Sequence, residues 1–415
     1  VADTAISTFE RHLDRLDLGR GLSAREHEQV VAAIRRLNTA VSALEGHGFA
    51  PTPFERETAL ATAVGLPAGM ELWVKDETGN VSGSHKGRHL FGVAVCEALA
   101  PSGVGPWAIA SCGNAALAAS IVAAAAEHPL EVFVPTWADD AVVGEIESTG
   151  ARVTRVEREV GRLGDPAYLA MVEAIAGGAT AFSCQGTDTP STIDGGRTLA
   201  FEMIDALTAH DHPTPPHLDR LFVQVGGGAL ASAVVTGLAR CDLPKMPTVH
   251  AVQPLGNHPL VRAWDTVLSE LLDAPPESTV EGRLAAAAAL GRLADDARRV
   301  IVRRLRSDPA RYMRPWADEP ESYATGILDD VTYDWIPIIE AMLATGGAPV
   351  VPSEDQLRRA HALAHDHTSI PACPTGAAGL GGLIAVVEAG SALERHERLA
   401  VIFSGHQRAG DPLPS

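Results

Sequence analysis

From Pro51 onward the chain alternates between short apolar runs and longer stretches in which apolar residues recur every three or four positions. The short runs are Leu72 to Val74, Trp107 to Ala110, Glu131 to Pro135, Arg152 to Val156, Thr180 to Phe182, Leu221 to Val225, Val249 to Gln253 and Leu399 to Phe403. Each is a predicted strand, and most lead into a predicted helix. Such alternation implies an α/β chain of three-layer α/β/α domains with mainly parallel sheets covered on both faces. The elements between Phe91 and Cys184 read as a self-contained smaller domain, 91–184, which leaves 51–90 and 185–415 for a larger one. Residues 1–50 read as a helical extension. There Leu13, Leu16 and Leu18 precede Val30, Val31, Ile34, Leu37, Val41 and Leu44 at helical spacing, with Ser23 as a cap and Glu26 three residues on. A pair of helices packed on the main body is expected. Residues 255–334 carry the weakest pattern: alanines at 285–289 and the run Arg298, Arg299, Arg303, Arg304, Arg306 predict helices with a solvated basic face, and Pro309 to Tyr323 reads as an irregular loop.

Composition narrows the classes of function. A chain of 415 residues that is 46% hydrophobic can bury two domain cores. Its 52 acidic and 33 basic residues give a net charge of -19, which disfavours nucleic acid and anionic membranes as partners and favours a small-molecule role. Cys96, Cys112, Cys184, Cys241 and Cys373 are odd in number and lack CxxC spacing, so neither a disulfide framework nor a zinc site is indicated. Metal binding has no compact ligand cluster to support it. The first residues hold no apolar signal region, and Ala115 to Ala126 is too short to span a bilayer, so a reducing, cytoplasmic location is expected.

Candidate chemistry sits where strands give way to helices. Lys86 follows the turn Ser82-Gly83-Ser84. A desolvated lysine amine attacks carbonyls, and pyridoxal phosphate is the cofactor carried on lysine as a Schiff base; a merely solvated lysine beside a turn has the same local sequence. Ser111, Cys112, Gly113 and Asn114 open an alanine-rich helix, where their amides can bind an anion or simply cap the helix. Gly226, Gly227 and Gly228, followed by Ala229 and Leu230, let backbone approach a phosphate at a helix start, or form a tight turn. Ser404 and Gly405 follow the last apolar run.

In this order the four stretches resemble the serine/threonine dehydratase branch of the tryptophan synthase β-like, fold type II, pyridoxal phosphate enzymes, with similarity also to threonine synthase. Lesser echoes are Pro51-Thr52-Pro53, Ile193 to Glu202 and Pro374 to Leu380, so the resemblance spans about Pro51 to Gly405. It implies two α/β domains with the active site between them, a Schiff base on Lys86, and the cofactor phosphate on Gly226 to Leu230. It also places Asn114 beside the cofactor's 3-hydroxyl, Ser111 to Asn114 around the substrate carboxylate, and Ser404 on the pyridine nitrogen. The implied reaction is β-elimination from an amino acid, with Lys86 as general base, giving a 2-oxo acid and ammonia. A homodimer is expected. Rival readings are β- or γ-replacement, as in cysteine or threonine synthases, racemisation, and a catalytically silent binding protein. His85 is either a phosphate contact, as in the tryptophan synthase pattern, or a packed turn residue. Cys112 is either a second base on the face opposite the lysine or a small buried apolar residue. Asp188, Asp194 and His258 are further candidates to face substrate. His406 and Cys373 depart from the family pattern, which puts the substrate in doubt more than the cofactor.

Overall fold

The computed structural model describes residues 6–158, 164–272, 275, 277–317, 319–390 and 393–414. Its strands are β1 Phe54–Arg56, β2 Glu71–Asp76, β3 Trp107–Ala110, β4 Leu130–Pro135, β5 Arg152–Val156, β6 Thr180–Ala181, β7 Arg220–Gln224, β8 Thr248–Val252 and β9 Arg398–Phe403. They form a five-stranded sheet of order β1-β2-β9-β7-β8 and a four-stranded sheet of order β5-β4-β3-β6. Every pairing is parallel except β1 with β2. The predicted strands are all present, with ends within two residues. β1 escapes the sequence pattern because it is three residues long and only Phe54 of it is buried. β9, buried along its whole length between β2 and β7, is the kind of strand that reads as one continuous apolar run.

The chain forms two units, Val1–Thr52 with Gly79–Leu199, and Pro53–Thr78 with Ala200–Ser415. Residues 79–90 and 185–199, and the N-terminal extension, therefore group with the smaller sheet, where the sequence pattern assigns the first two to the larger domain. The reason lies in helix packing. Helix Lys86–Leu99 runs against helix Ser191–Gly196 and touches helices Ala24–Glu45 and Asn114–Ala125. The first of these contacts is glycine on glycine: a Cβ on Gly92 would stand 2.8 Å from the Gly195 Cα. In place of two N-terminal helices there is one long one, Ala24–Glu45, opened by the expected Ser23 and Glu26 capping box. Before it come only short helical turns at Thr8–Arg11, Leu13–Arg15 and Asp17–Gly19, broken by extended backbone at Leu16. Leu44 is 54% exposed, outside the face formed by Val30, Ile34, Leu37 and Val41.

The core of the larger unit joins Leu72 and Val74 of β2, Phe222 of β7, and Val401 and Phe403 of β9 to Leu380, Leu383 and Ile384 of helix Ala378–Glu388. On the opposite face of β2 a charged group is buried. Lys75, on β2, is fully buried, with its Nζ 2.6 Å from Glu202 Oε2 and 3.8 Å from Glu77 Oε1, both carboxylates also out of solvent. Residues 255–334 include helices Pro259–Leu272, Val280–Leu290 and Asp295–Ser307. The guanidinium of Arg299 is exposed, as expected, and Arg304, half exposed, pairs with Glu270. The Pro309 to Tyr323 stretch begins as a helical turn, Pro309–Tyr312, with Tyr312 buried. Among the described residues no helix is long and apolar enough to cross a membrane, and no group of three His, Cys, Asp or Glu could hold a metal ion.

Candidate active site

In the smaller unit, the turn before Lys86 is held from three directions. Asn80 accepts the Val81 amide at 2.8 Å. Ser82 adopts φ 62°, a left-handed conformation costly for a residue with a side chain, and its amide donates to Glu45 Oε2 at 3.0 Å. Gly87 then passes so close to Val81 O and the Phe49 ring that a Cβ there would stand 2.9 and 3.1 Å from them. Phe49 in turn packs on Phe9 and Phe91. The N-terminal extension thus builds the floor under Lys86. Sequence reading found no task for it, and nothing in the pattern marks Glu45. Glu45→Ala is expected to cost about 1–2 kcal/mol by leaving the Ser82 amide without its acceptor, with Glu45→Gln losing less than half of that. Urea unfolding and cofactor retention measure both; equal stability and retention in all three proteins would refute this role.

Lys86 opens helix Lys86–Leu99 and is half-buried, with no hydrogen bond or ion pair among the described residues. Arg88, two residues on, is fully buried and donates to Thr198 Oγ1 at 3.1 Å and Thr52 Oγ1 at 3.0 Å, which makes it a brace for the helix. His85 is buried against His89, ring centroids 5.2 Å apart, and its Nδ1 has no partner. Burial, with the Lys86 charge adding to it, holds His85 well below the ordinary imidazole range, so its ring is neutral.

Ser111 to Asn114 follow β3 and lead into helix Asn114–Ala125, which packs against the Val81–Gly83 turn and the Lys86 helix. The structure therefore brings the Ser-Cys-Gly-Asn turn to the lysine turn within one unit. The N-terminal residue Gly113 supplies no side-chain cap, which leaves the first amides of that helix for an anion. Burial pushes the Cys112 thiol up, with the Asp165 carboxylate adding to the effect. Asp188, in the loop after β6, receives the Tyr168 hydroxyl at 3.3 Å. Asp194 is structural: it accepts the amides of Asp17 and Leu18 at 2.9 and 3.0 Å and pairs with Arg197.

In the larger unit, Gly226 to Gly228 link β7 to helix Ala229–Leu238. Gly228 has φ 99°, and no side chain caps the helix. Side chains at Gly226 and Gly227 have no room: a Cβ on Gly226 would collide with the Asp329 carboxylate and the Ile327 backbone, and one on Gly227 would stand 3.2 Å from the Tyr333 ring. Ser404, at the end of β9, is 5% exposed, and its Oγ accepts from Gln224 Nε2 at 2.7 Å. Gln224 is a residue that motif reading passes over, although a polar side chain inside the apolar run Leu221 to Val225 is itself a signal. Cys373 is buried, its thiol pushed up by burial to about 11, and its sulfur accepts the Gly376 amide at 3.2 Å. His406 is exposed, and His258 Nδ1 donates to the Leu255 carbonyl, 2.9 Å away.

A family model described as "Pyridoxal-phosphate dependent enzyme" matches residues 47–405. The chain belongs to this family. Within it, an L-serine dehydratase of Saccharomyces cerevisiae is 31% identical over 193 residues, 45% of this chain and 56% of the yeast protein, so the chain spans little more than half the length of that relative. The processed threonine deaminase isoform 2 from Solanum lycopersicum superposes with a TM-score of 0.63 at 17% identity, covering 94% of this chain and 92% of that one. A pyridoxal 5'-phosphate-dependent aspartate racemase superposes with a TM-score of 0.63 at 19% identity, covering 92% and 97%. At these identities the superpositions establish the fold: a fold type II enzyme with mainly parallel sheets. The cofactor of the family is pyridoxal phosphate, and the residues fit it. An uncapped helix start behind three glycines suits a phosphate, an unpaired lysine suits a carbonyl, and a buried hydroxyl and a buried, unpartnered imidazole nitrogen are left to meet polar atoms of a ligand.

Proposed function

We propose that this pyridoxal phosphate enzyme catalyses β-elimination from an amino acid, giving a 2-oxo acid and ammonia. The observation that carries the reading is the alignment with a serine dehydratase, joined to a buried neutral hydroxyl at the end of β9, Ser404, which the family resemblance sets beside the cofactor ring. Bound cofactor supplies an electron sink for the carbanion formed at the substrate α-carbon, and a serine rather than a carboxylate beside the ring keeps that sink modest, which favours loss of the β-substituent. Lys86 would hold the cofactor through Nζ and, once that amine is free, would take the substrate α-proton there. By the family resemblance, the amides of Gly226 to Leu230 would hold the phosphate, with His85 a further candidate contact to it. Ser111 to Gly113 would bind the substrate carboxylate, and Asn114 would hold the cofactor ring. The same reading extends to a homodimer in a reducing cytoplasm, consistent with five free cysteines.

The likeness to an aspartate racemase supports racemisation as a second activity. Cys112, with its thiol held protonated by burial, would deliver a proton to the face opposite Lys86. The test is a screen of serine, threonine and other β-substituted amino acids in deuterated water, following 2-oxo acid and the opposite enantiomer. Elimination is expected to dominate, with any enantiomer lost in Cys112→Ala. Enantiomer without 2-oxo acid would overturn the elimination reading, and enantiomer undiminished in the variant would remove Cys112 as the second proton carrier.

A further inference from the structure

Gln224, the last residue of β7, is 3% exposed, and its Nε2 lies within hydrogen-bond distance of four oxygens: Ser404 Oγ at 2.7 Å, Gly376 O at 2.9 Å, Ile402 O at 3.0 Å and Thr375 O at 3.3 Å. Three of these are carbonyls, which only accept. Turning the amide over would set Oε1 against all three, so the surroundings fix the nitrogen on this side. Oε1 points instead at Gly379, where a Cβ would stand 2.9 Å away, and finds no partner. The glutamine is therefore held in one orientation even though its own carbonyl goes unsatisfied.

The consequence falls on Ser404. An amide nitrogen cannot accept, so in the 2.7 Å bond the serine oxygen is the acceptor and its hydrogen is left over. Among the described residues nothing accepts that hydrogen, in a place almost closed to water. A buried hydroxyl hydrogen without an acceptor is costly unless a ligand provides one.

We propose that Gln224 is a positioning residue that aims the Ser404 hydroxyl hydrogen at the cofactor's ring nitrogen and so keeps that nitrogen unprotonated. This rests on the reading that Ser404 meets the ring nitrogen. A serine free to rotate serves equally as donor to a neutral nitrogen or acceptor from a protonated one; the glutamine removes the second choice. The strength of the electron sink is thereby set by a residue that does not touch the ring.

The experiment loads the full-length enzyme with ring-¹⁵N-labelled pyridoxal phosphate and reads the nitrogen resonance, alongside kcat and KM for elimination. Wild type is expected to show an unprotonated, hydrogen-bonded nitrogen. Gln224→Met, similar in length and without a donor, should move the resonance in the same direction as Ser404→Ala and lower kcat about tenfold with KM little changed. The double variant should be no worse than Ser404→Ala, because the glutamine acts through the serine. Gln224→Leu provides a second reading should the methionine variant not fold: it too lacks a donor, and the resonance should again move in the direction of Ser404→Ala. A resonance that moves in Ser404→Ala but in neither Gln224 variant would overturn the inference and leave the Ser404 reading intact. One that does not move in Ser404→Ala would overturn both.

Discussion

Lys86→Ala protein is expected to be colourless after dialysis against pyridoxal phosphate, and its elimination rate to fall by at least about 10³-fold, since general-base catalysis alone contributes on the order of 10² to 10⁴. Wild type should show an absorbance band in the visible or near-ultraviolet that borohydride abolishes by reducing the lysine linkage. The substitution lies at a helix start, and the turn before it is held by Asn80, Glu45 and Phe49 without help from the lysine side chain. The fold should therefore survive, and circular dichroism should match wild type. A wild-type protein that stays colourless with cofactor would sink the catalytic reading and favour a binding role. A coloured Lys86→Ala protein would point to another lysine.

Lys75→Met is expected to cause the largest loss of stability of any single change considered. It removes the buried ammonium that stands 2.6 Å from Glu202 Oε2 and 3.8 Å from Glu77 Oε1. Breaking a buried ion pair in this way costs roughly 3–5 kcal/mol. At about 2–4 °C per kcal/mol for a unit of this size, the melting temperature should fall by about 10 °C or more. Glu202→Gln, which keeps an acceptor for Lys75 and removes one charge, should cost less. Differential scanning calorimetry distinguishes the cases, and a shift in Lys75→Met within about 2 °C of wild type would show that the ammonium contributes little.

How much of this was legible in the sequence depends on the kind of signal. Strands buried on both faces, such as β9, show as unbroken apolar runs, and glycines forced by close approach, as at Gly226 to Gly228, show as motifs. The lysine turn was visible for related reasons: Gly83 has φ 65°, and Gly87 sits where backbone passes tightly. What stayed hidden were pairings between residues far apart in the chain. Glu45 with Ser82, Gln224 with Ser404, and Lys75 with Glu202 each join side chains that no spacing rule connects. The grouping of residues 185–199 with the smaller sheet is hidden for a related reason, because their Gly92 and Gly195 contact is a tertiary event. The broken helix near Leu16 kept helical apolar spacing at Phe9, Leu13 and Leu16, all buried, so periodicity alone overstated its length.

The order of the larger sheet has a consequence for synthesis on the ribosome. β9 follows all the other described strands in the chain and lies between β2 and β7, so β1-β2 and β7-β8 exist as separate pieces with unpaired edges until residues 398–403 have emerged. The smaller sheet, by contrast, has all of its strands by Ala181 and its unit closes by Leu199. A nascent chain halted before β9 therefore carries one finished unit and one sheet split down its middle, with β2 and β7 each open to a foreign strand. Chaperones that shield strand edges would act on this half of the molecule, before β9 has emerged.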